Sequence, residues 1–172
     1  TYLKKDGSDK GFADMGMLFL LSTGDQSDLD YVAQWAKGLK DKKVSGYAWH
    51  IGHGGLAVCE YYLRTGDPSV LPVIQAQVDS AAKDQTFGGW GGRGGMASVT
   101  YGGGGGHLNA GGTLVVAFLM LAKECGANVP DQTLHSALVH FYRWAGRGVV
   151  PYGNNLPEAG LADNGKNARL AI

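Results

Sequence analysis

The chain has 172 residues and a mass of 18.1 kDa, the size of one ordinary domain. Fifteen Lys and Arg balance fifteen Asp and Glu, which argues against a nucleic-acid binder or a polybasic membrane binder held by bulk charge. Hydrophobic residues make up 44%, enough to build a core, whereas the 29 glycines are more than twice the usual share of about 7%. They have no collagen period and gather in clusters between apolar helical runs.

Taken in chain order, the hydrophobic period is helical. The first predicted helix spans about 11–22, with Met15, Leu18, Phe19 and Leu21 on one side, and stops at Thr23-Gly24-Asp25. The second spans about 27–39 and carries Leu29, Val32, Trp35 and Ala36; the third spans about 51–64 and stops at Thr65-Gly66-Asp67. Pro68 opens the fourth, which carries Val70, Leu71, Ile74, Val78 and Ala81, and Asp67 suits its N-cap. The fifth spans about 108–125 and stops at Gly126. The sixth follows Pro130-Asp131 with Leu134, Leu138, Phe141, Tyr142 and Trp144.

Three helices thus end at a glycine, where the chain must turn left-handed, and each is followed closely by another helix. Short links make neighbours antiparallel, so the expectation is three consecutive helical hairpins. Thr-Gly-Asp recurs 42 residues apart, at 23 and 65. Gly11-Phe12-Ala13-Asp14-Met15-Gly16 also echoes Gly160-Leu161-Ala162-Asp163-Asn164-Gly165. This second echo predicts the opening of a seventh helix after Gly165. Residues 1–172 would then be a single helical-repeat domain, a segment of a longer array or one completed by a partner copy.

The first helix of each hairpin is the more apolar and begins with small residues, as in Gly52-His53-Gly54-Gly55 and Ala110-Gly111-Gly112. The second helices carry polar residues such as Asp28, Asp30, Gln34 and Lys37, then Gln75, Gln77, Asp79 and Lys83, as a wet face would. Inner helices with glycine starts and outer helices with polar faces describe an all-α fold in which helical hairpins form part of an α/α-toroid. An open α-solenoid is the competing layout, with less need for glycine.

This arrangement resembles the α/α-toroid superfamily: terpenoid cyclases, prenyltransferases, lanthionine cyclases and several polysaccharide lyases and hydrolases. Trp49-His50-Ile51-Gly52-His53-Gly54-Gly55-Leu56-Ala57 is similar to the His-Gly-x-Ala starts of inner helices in lanthionine cyclases. Asp84-Gln85-Thr86-Phe87-Gly88-Gly89-Trp90 is similar to the Gln-x-x-x-Gly-x-Trp turn of terpenoid cyclases, with Asp84 in the Gln position. With its glycine-rich stretch at His107 and its Asn164-Gly165-Lys166, the whole chain resembles an uncharacterised bacterial toroid family. Asp28-Leu29-Asp30 falls short of the Asp-x-Asp-Asp acid of protonating cyclases, and no Cys neighbours a His as in the zinc-bearing members. The resemblance therefore implies architecture and no catalytic residue.

Candidate chemistry gathers at the expected inner-helix starts. His50 and His53 are three apart and share a face if both are helical; with His107 they would make a three-imidazole set. Polar lining is the simpler use of these histidines, so no metal or cofactor is called for. His53 or His107 would be the general acid or base, with Tyr47 assisting. His50, Trp49, Trp90, Arg93 and Asn109 would line a ligand site. Aromatics beside polar groups suit sugar rings, and Arg93 can fork onto a carboxylate or phosphate. Asp14 and Asp163, in equivalent repeat positions, are candidate paired carboxylates or helix-start charges. His135 and His140 are assigned no chemistry. Cys59 and Cys125 are expected as buried free thiols.

The expected function is a carbohydrate-active toroid, a glycan hydrolase or lyase, acting on a glycan or small-molecule ligand. A non-catalytic scaffold that self-associates through open repeat ends is the alternative. The longest apolar run, Leu114–Ala122, is too short for membrane insertion. Thr1 is not a natural first residue, so the compartment stays open.

Overall fold

A computed structural model describes residues 13–44, 46–91, 106–148, 150–154 and 167–168. Among them lie six α-helices: α1 (Ala13–Thr23), α2 (Gln26–Gly38), α3 (Ala48–Thr65), α4 (Leu71–Asp84), α5 (Asn109–Glu124) and α6 (Asp131–Tyr142). A 3-10 turn, Pro68–Val70, precedes α4. The protein is thus mainly helical, and each predicted helix is present within a few residues of its expected ends. Trp144 lies beyond the end of α6, in the turn that follows.

The hairpin links form as glycine chemistry dictates. Gly24, Gly66 and Gly126 have φ of +80°, +69° and +85°, a region that costs a side-chain-bearing residue energy but not glycine. Gly66 N–H closes α3 by donating to Tyr62 O at 2.7 Å. The two Thr-Gly-Asp sequences share one contact, the Asp N–H donating to the Thr hydroxyl at 3.3 Å. They differ in the next. Asp67 accepts from Ser69 N–H at 3.0 Å and so caps the 3-10 turn, whereas Asp25 makes no side-chain cap bond.

Helix α3 packs most extensively on α5 and next on α1, so α1, α3 and α5 form one contiguous row. Helices α2 and α4 lean on that row beside their hairpin partners. Glycine is what lets the row close up. A Cβ on Gly52 would stand 2.6 Å from Leu114 Cβ, and one on Gly111 would stand 2.9 Å from Ala48 Cβ. The main core fills the space between the layers, with Met17, Leu20, Ile51, Val58, Ile74, Val78, Phe118 and Leu119 fully buried.

Two polar residues of the expected wet faces turn inward. Asp28 is buried because Thr23, at the end of the preceding helix, donates its hydroxyl to Asp28 Oδ2 at 2.7 Å. Gln77 is buried on α4.

Four short strands complete the described structure: β1 (His107–Leu108), β2 (Val150–Pro151), β3 (Gly153–Asn154) and β4 (Asn167–Ala168). Strand β1 pairs antiparallel with β3, and β2 with β4. The β4 pairing corrects the expected seventh helix at those two residues: Asn167 and Ala168 are drawn into a ladder with Pro151 and Val150. The remainder of the 160–172 echo, including Asp163 and Asn164-Gly165-Lys166, lies outside the described residues.

Candidate functional site

The expected site residues divide into two groups with different surroundings. The first sits where α1 and α3 begin. Tyr47 is the N-cap residue of α3 in extended conformation, so Trp49, His50 and His53 all lie on the helix. His50 and His53 then share a face, as their spacing requires. Nδ1 of His50 lies 3.0 Å from Oδ2 of Asp14, in the first turn of α1. The pair is partly open, with side-chain exposures of 38% for His50 and 18% for Asp14.

Aromatic rings hold the two imidazoles. The Tyr47 ring meets His50 edge-on with centroids 5.3 Å apart. Trp49 stacks on His53 at 5.5 Å and 15° between planes. Burial pushes the His53 pKa below its ordinary value, against the pull of the nearby Asp14 charge, and the neighbouring His50 adds to the lowering. His53 is therefore held toward its neutral form.

Asp14 and His50 form part of the wall of a cavity of about 540 Å³, large enough for a small ligand. Ile51 and Gly54 of α3 and Val73 and Gln77 of α4 form much of the rest. Lys40, Lys42 and Lys43, in the turns that follow α2, line another side and are exposed. Local backbone bonds, Lys40 N–H to Lys37 O and Lys42 N–H to Leu39 O, shape those turns.

The second group is interior, and here the expectation of an open rim is corrected. His107 and Trp90 are wholly buried, and Asn109 is 1% exposed. Trp90 fills the core and donates Nε1–H to Ala81 O at 2.8 Å. His107 Nε2 lies 2.6 Å from Thr86 O and so carries the proton, while Asn154 Nδ2 donates to its Nδ1 at 3.4 Å. Asn109 Nδ2 donates to Pro151 O at 2.9 Å and to Asn154 Oδ1 at 2.8 Å. Its Oδ1 accepts from His140 Nε2 at 2.9 Å. Arg143 in turn donates to His140 Nδ1 at 3.0 Å.

These bonds form one chain from Arg143 through His140, Asn109, Asn154 and His107 to the Thr86 carbonyl. It ties the Thr86–Gly89 turn, β1, β3, the start of α5 and the end of α6 together. Gly89 fits against it closely, since a Cβ there would come within 2.6 Å of His107 and 2.9 Å of His140. The rings of His107 and His140 meet at right angles, 4.5 Å between centroids. Burial, reinforced by His107 and Arg143, lowers the His140 pKa to about 2. Both histidines serve as hydrogen-bonding pieces of the scaffold, and His140 is held neutral. His140 had no assigned role from sequence, because Asn109, the partner that ties it into the chain, lies 31 residues away.

Arg93 lies outside the described residues. Among the described residues no group of three or more His, Cys, Asp or Glu side chains could hold a metal ion, so His50, His53 and His107 do not form the three-imidazole set. No described helix is long and apolar enough to cross a membrane.

Comparison with known proteins matched one family and gave no match among curated proteins or solved structures. The family's sequence model spans residues 1–172, and the chain belongs to the family described as Domain of unknown function (DUF6288).

Proposed function

We propose that this chain is a stretch of an α/α-toroid of the carbohydrate-active kind, with its ligand site in the cavity between the starts of α1 and α3 and the flank of α4. The observation that carries the reading is the Asp14–His50 contact of 3.0 Å in the cavity wall. Two side chains 36 residues apart in sequence are brought together by two inner-helix starts. A carboxylate that accepts Nδ1–H fixes the imidazole tautomer with the lone pair on Nε2, and it stabilises the imidazolium once a proton arrives there.

In this role His50 is the general base, taking a proton from a ligand hydroxyl or from the water that attacks a glycosidic carbon. Tyr47, edge-on to that ring, is the assisting phenol. Trp49 and His53 stack on each other outside the cavity lining, next to the pair along α3. His107, Trp90 and Asn109 are left to the scaffold.

The test is a panel of polysaccharides and oligosaccharides incubated with the purified protein, read by new reducing ends and by unsaturated products. Turnover that falls by about 10²-fold or more in both His50→Gln and Asp14→Asn supports the reading. Turnover of no glycan, or turnover that both variants retain, overturns it.

A second reading, a non-catalytic scaffold, has its own support. Met15 and Phe19 on α1 are 47% and 59% exposed, and Leu138, Val139 and Tyr142 on α6 are 58%, 55% and 78% exposed. These are the first and last described helices, and apolar surface there suits end-to-end packing of repeats. Sedimentation velocity of wild type against Phe19→Ser with Tyr142→Ser decides it: a shift from oligomer to monomer favours assembly, and a monomeric wild type rejects it.

A further inference from the structure

The cavity beside Asp14 and His50 has a lopsided wall. Leu39 and Val44 from the segment after α2, Ile51 of α3, and Pro72, Val73 and Ala76 of α4 make most of it aliphatic. Reachable surface lies on that side, since Pro72 and Ala76 are exposed and Leu39 and Val44 half-buried. The lysines of the wall are exposed, so their charged ends stay in water while their methylene stems extend the apolar surface. Gln77 Oε1 is buried and offers the cavity no acceptor. The polar pair that remains is Asp14 and His50, with side-chain exposures of 18% and 38%.

From this arrangement we propose that the substrate is a sugar carrying an apolar substituent, a glycoside or sugar ester whose hydrocarbon group fills the cavity while its bond to the sugar lies at the Asp14–His50 pair. The proposal rests on the carbohydrate reading above and adds the class of substrate. A bare sugar ring is a poor occupant, because each hydroxyl buried against aliphatic side chains loses its water and gains no partner. A hydrocarbon group gains by the same transfer. The polar end of such a molecule then has one place to go, the edge where His50 and Asp14 stand. No aromatic ring is present among the described lining residues to select by stacking, so an alkyl and an aryl group share the required chemistry.

Titration calorimetry of the full chain with methyl, hexyl and phenyl β-glucoside tests it, with 1-hexanol as the probe that lacks a sugar. Burial of one methylene is worth a factor of about three to four in affinity. Hexyl or phenyl β-glucoside, or both, should therefore bind at least about tenfold more tightly than the methyl glucoside, with no loss of affinity as salt rises. A gain from hexyl alone assigns an alkyl group, and a gain from phenyl alone assigns an aryl group. The heat capacity change on binding should be negative, as burial of apolar surface requires.

Ala76→Glu provides the second readout, because it sets a carboxylate against the same space. Position 76 is exposed on a helix, and glutamate is a good helix former, so the thermal midpoint should hold. The variant should bring the hexyl and phenyl glucosides to the affinity of the methyl glucoside, while Ala76→Leu keeps the wall apolar and retains the preference. Equal affinity for all three glucosides, or a preference that survives Ala76→Glu, overturns the proposal and leaves the carbohydrate reading standing. Binding of 1-hexanol as tight as that of hexyl β-glucoside shows that the sugar contributes nothing, and overturns the carbohydrate reading together with the sugar in the proposal. Failure of all four probes to bind overturns the proposal; the His50 and Asp14 variants on the glycan panel then judge the broader reading separately.

Discussion

Gly52 faces Leu114 so closely that a methyl group at position 52 would come within 2.6 Å of the Leu114 Cβ, and within 3.1 to 3.2 Å of backbone atoms of residues 114 and 115. Backbone cannot swing aside as a flexible side chain can, so α3 and α5 would have to separate. Gly52→Ala therefore loses up to about 2 kcal/mol net, since overpacking of about 1–3 kcal/mol is set against the ~1 kcal/mol that alanine gains in a helix. Gly38, the last residue of α2, has nothing within 4 Å of its would-be Cβ and no positive φ. Gly38→Ala should then stabilise by roughly 0.5–1 kcal/mol. Urea unfolding of the two variants should move the midpoint in opposite directions, and a shared sign would show that the α3–α5 contact is looser than described.

Asn109 is the central link of the buried polar chain, serving His140, Asn154 and the Pro151 carbonyl at once. Asn109→Ala strands a ring N–H, an amide oxygen and a carbonyl in the interior. A cost of about 2–4 kcal/mol follows from the desolvation of those groups. Equilibrium unfolding measures it, and a loss below about 1 kcal/mol would mean that water or a neighbour replaces the amide.

The hairpins were legible in sequence because their signals are local. Gly24, Gly66 and Gly126 mark left-handed positions, and a helical period of apolar residues surrounds them. The close helix approach at the glycine-rich helix starts was legible too, since Gly52 and Gly111 sit where two helices meet. What pairs across distance was not. His50 and Asp14 are 36 residues apart, and His107 and Asn154 are 47 apart. No period reports which histidine faces a cavity and which is walled in. Gln77 sits on α4 between polar neighbours at 75 and 79 and looks like part of a wet face, yet α4 turns it inward. The same limit misled the reading of 166–172: a short segment whose residues suit a helix start carries no sign of the strand partner that claims Asn167 and Ala168.

Cys59 is wholly buried and Cys125 is 5% exposed, with Cys125 Sγ lying 3.8 Å from the Cys59 carbonyl oxygen. Burial raises both thiol pKa values above the ordinary one. Because the thiolate is the reactive form, both should react with a disulfide reagent such as DTNB at least about 10²-fold more slowly in the native protein than in urea. Rapid labelling of the folded protein would place at least one thiol at the surface. The rate in dilute urea should track global unfolding, since both cysteines belong to the central core cluster.

His140 makes stability depend on pH in a defined direction. Its ring is 3% exposed, and its pKa falls from an ordinary 6.5 to about 2, mainly through burial. The folded protein then refuses a proton that the unfolded chain accepts below about pH 6.5, so the stabilising contribution is complete above that pH and is lost as pH falls. For one such histidine the slope approaches about 1.4 kcal/mol per pH unit between pH 6 and the folded value. His53, also shifted downward, adds in the same sense, diminished by its partial exposure. Asp67 is held below the usual carboxylate range by Ser69 first and Lys37 second, and its own loss of stability comes only as pH falls through and below the ordinary carboxylate range. The window from pH 6 to 5 therefore belongs chiefly to the histidines. Unfolding free energies at pH 7.5, 6 and 5 should fall by about 1 kcal/mol over the last step. In His140→Gln the protein is weaker at every pH, but the slope in that window is reduced by nearly one proton. An unchanged slope would show that His140 is protonated in the folded state and that the buried chain is bonded in a different way.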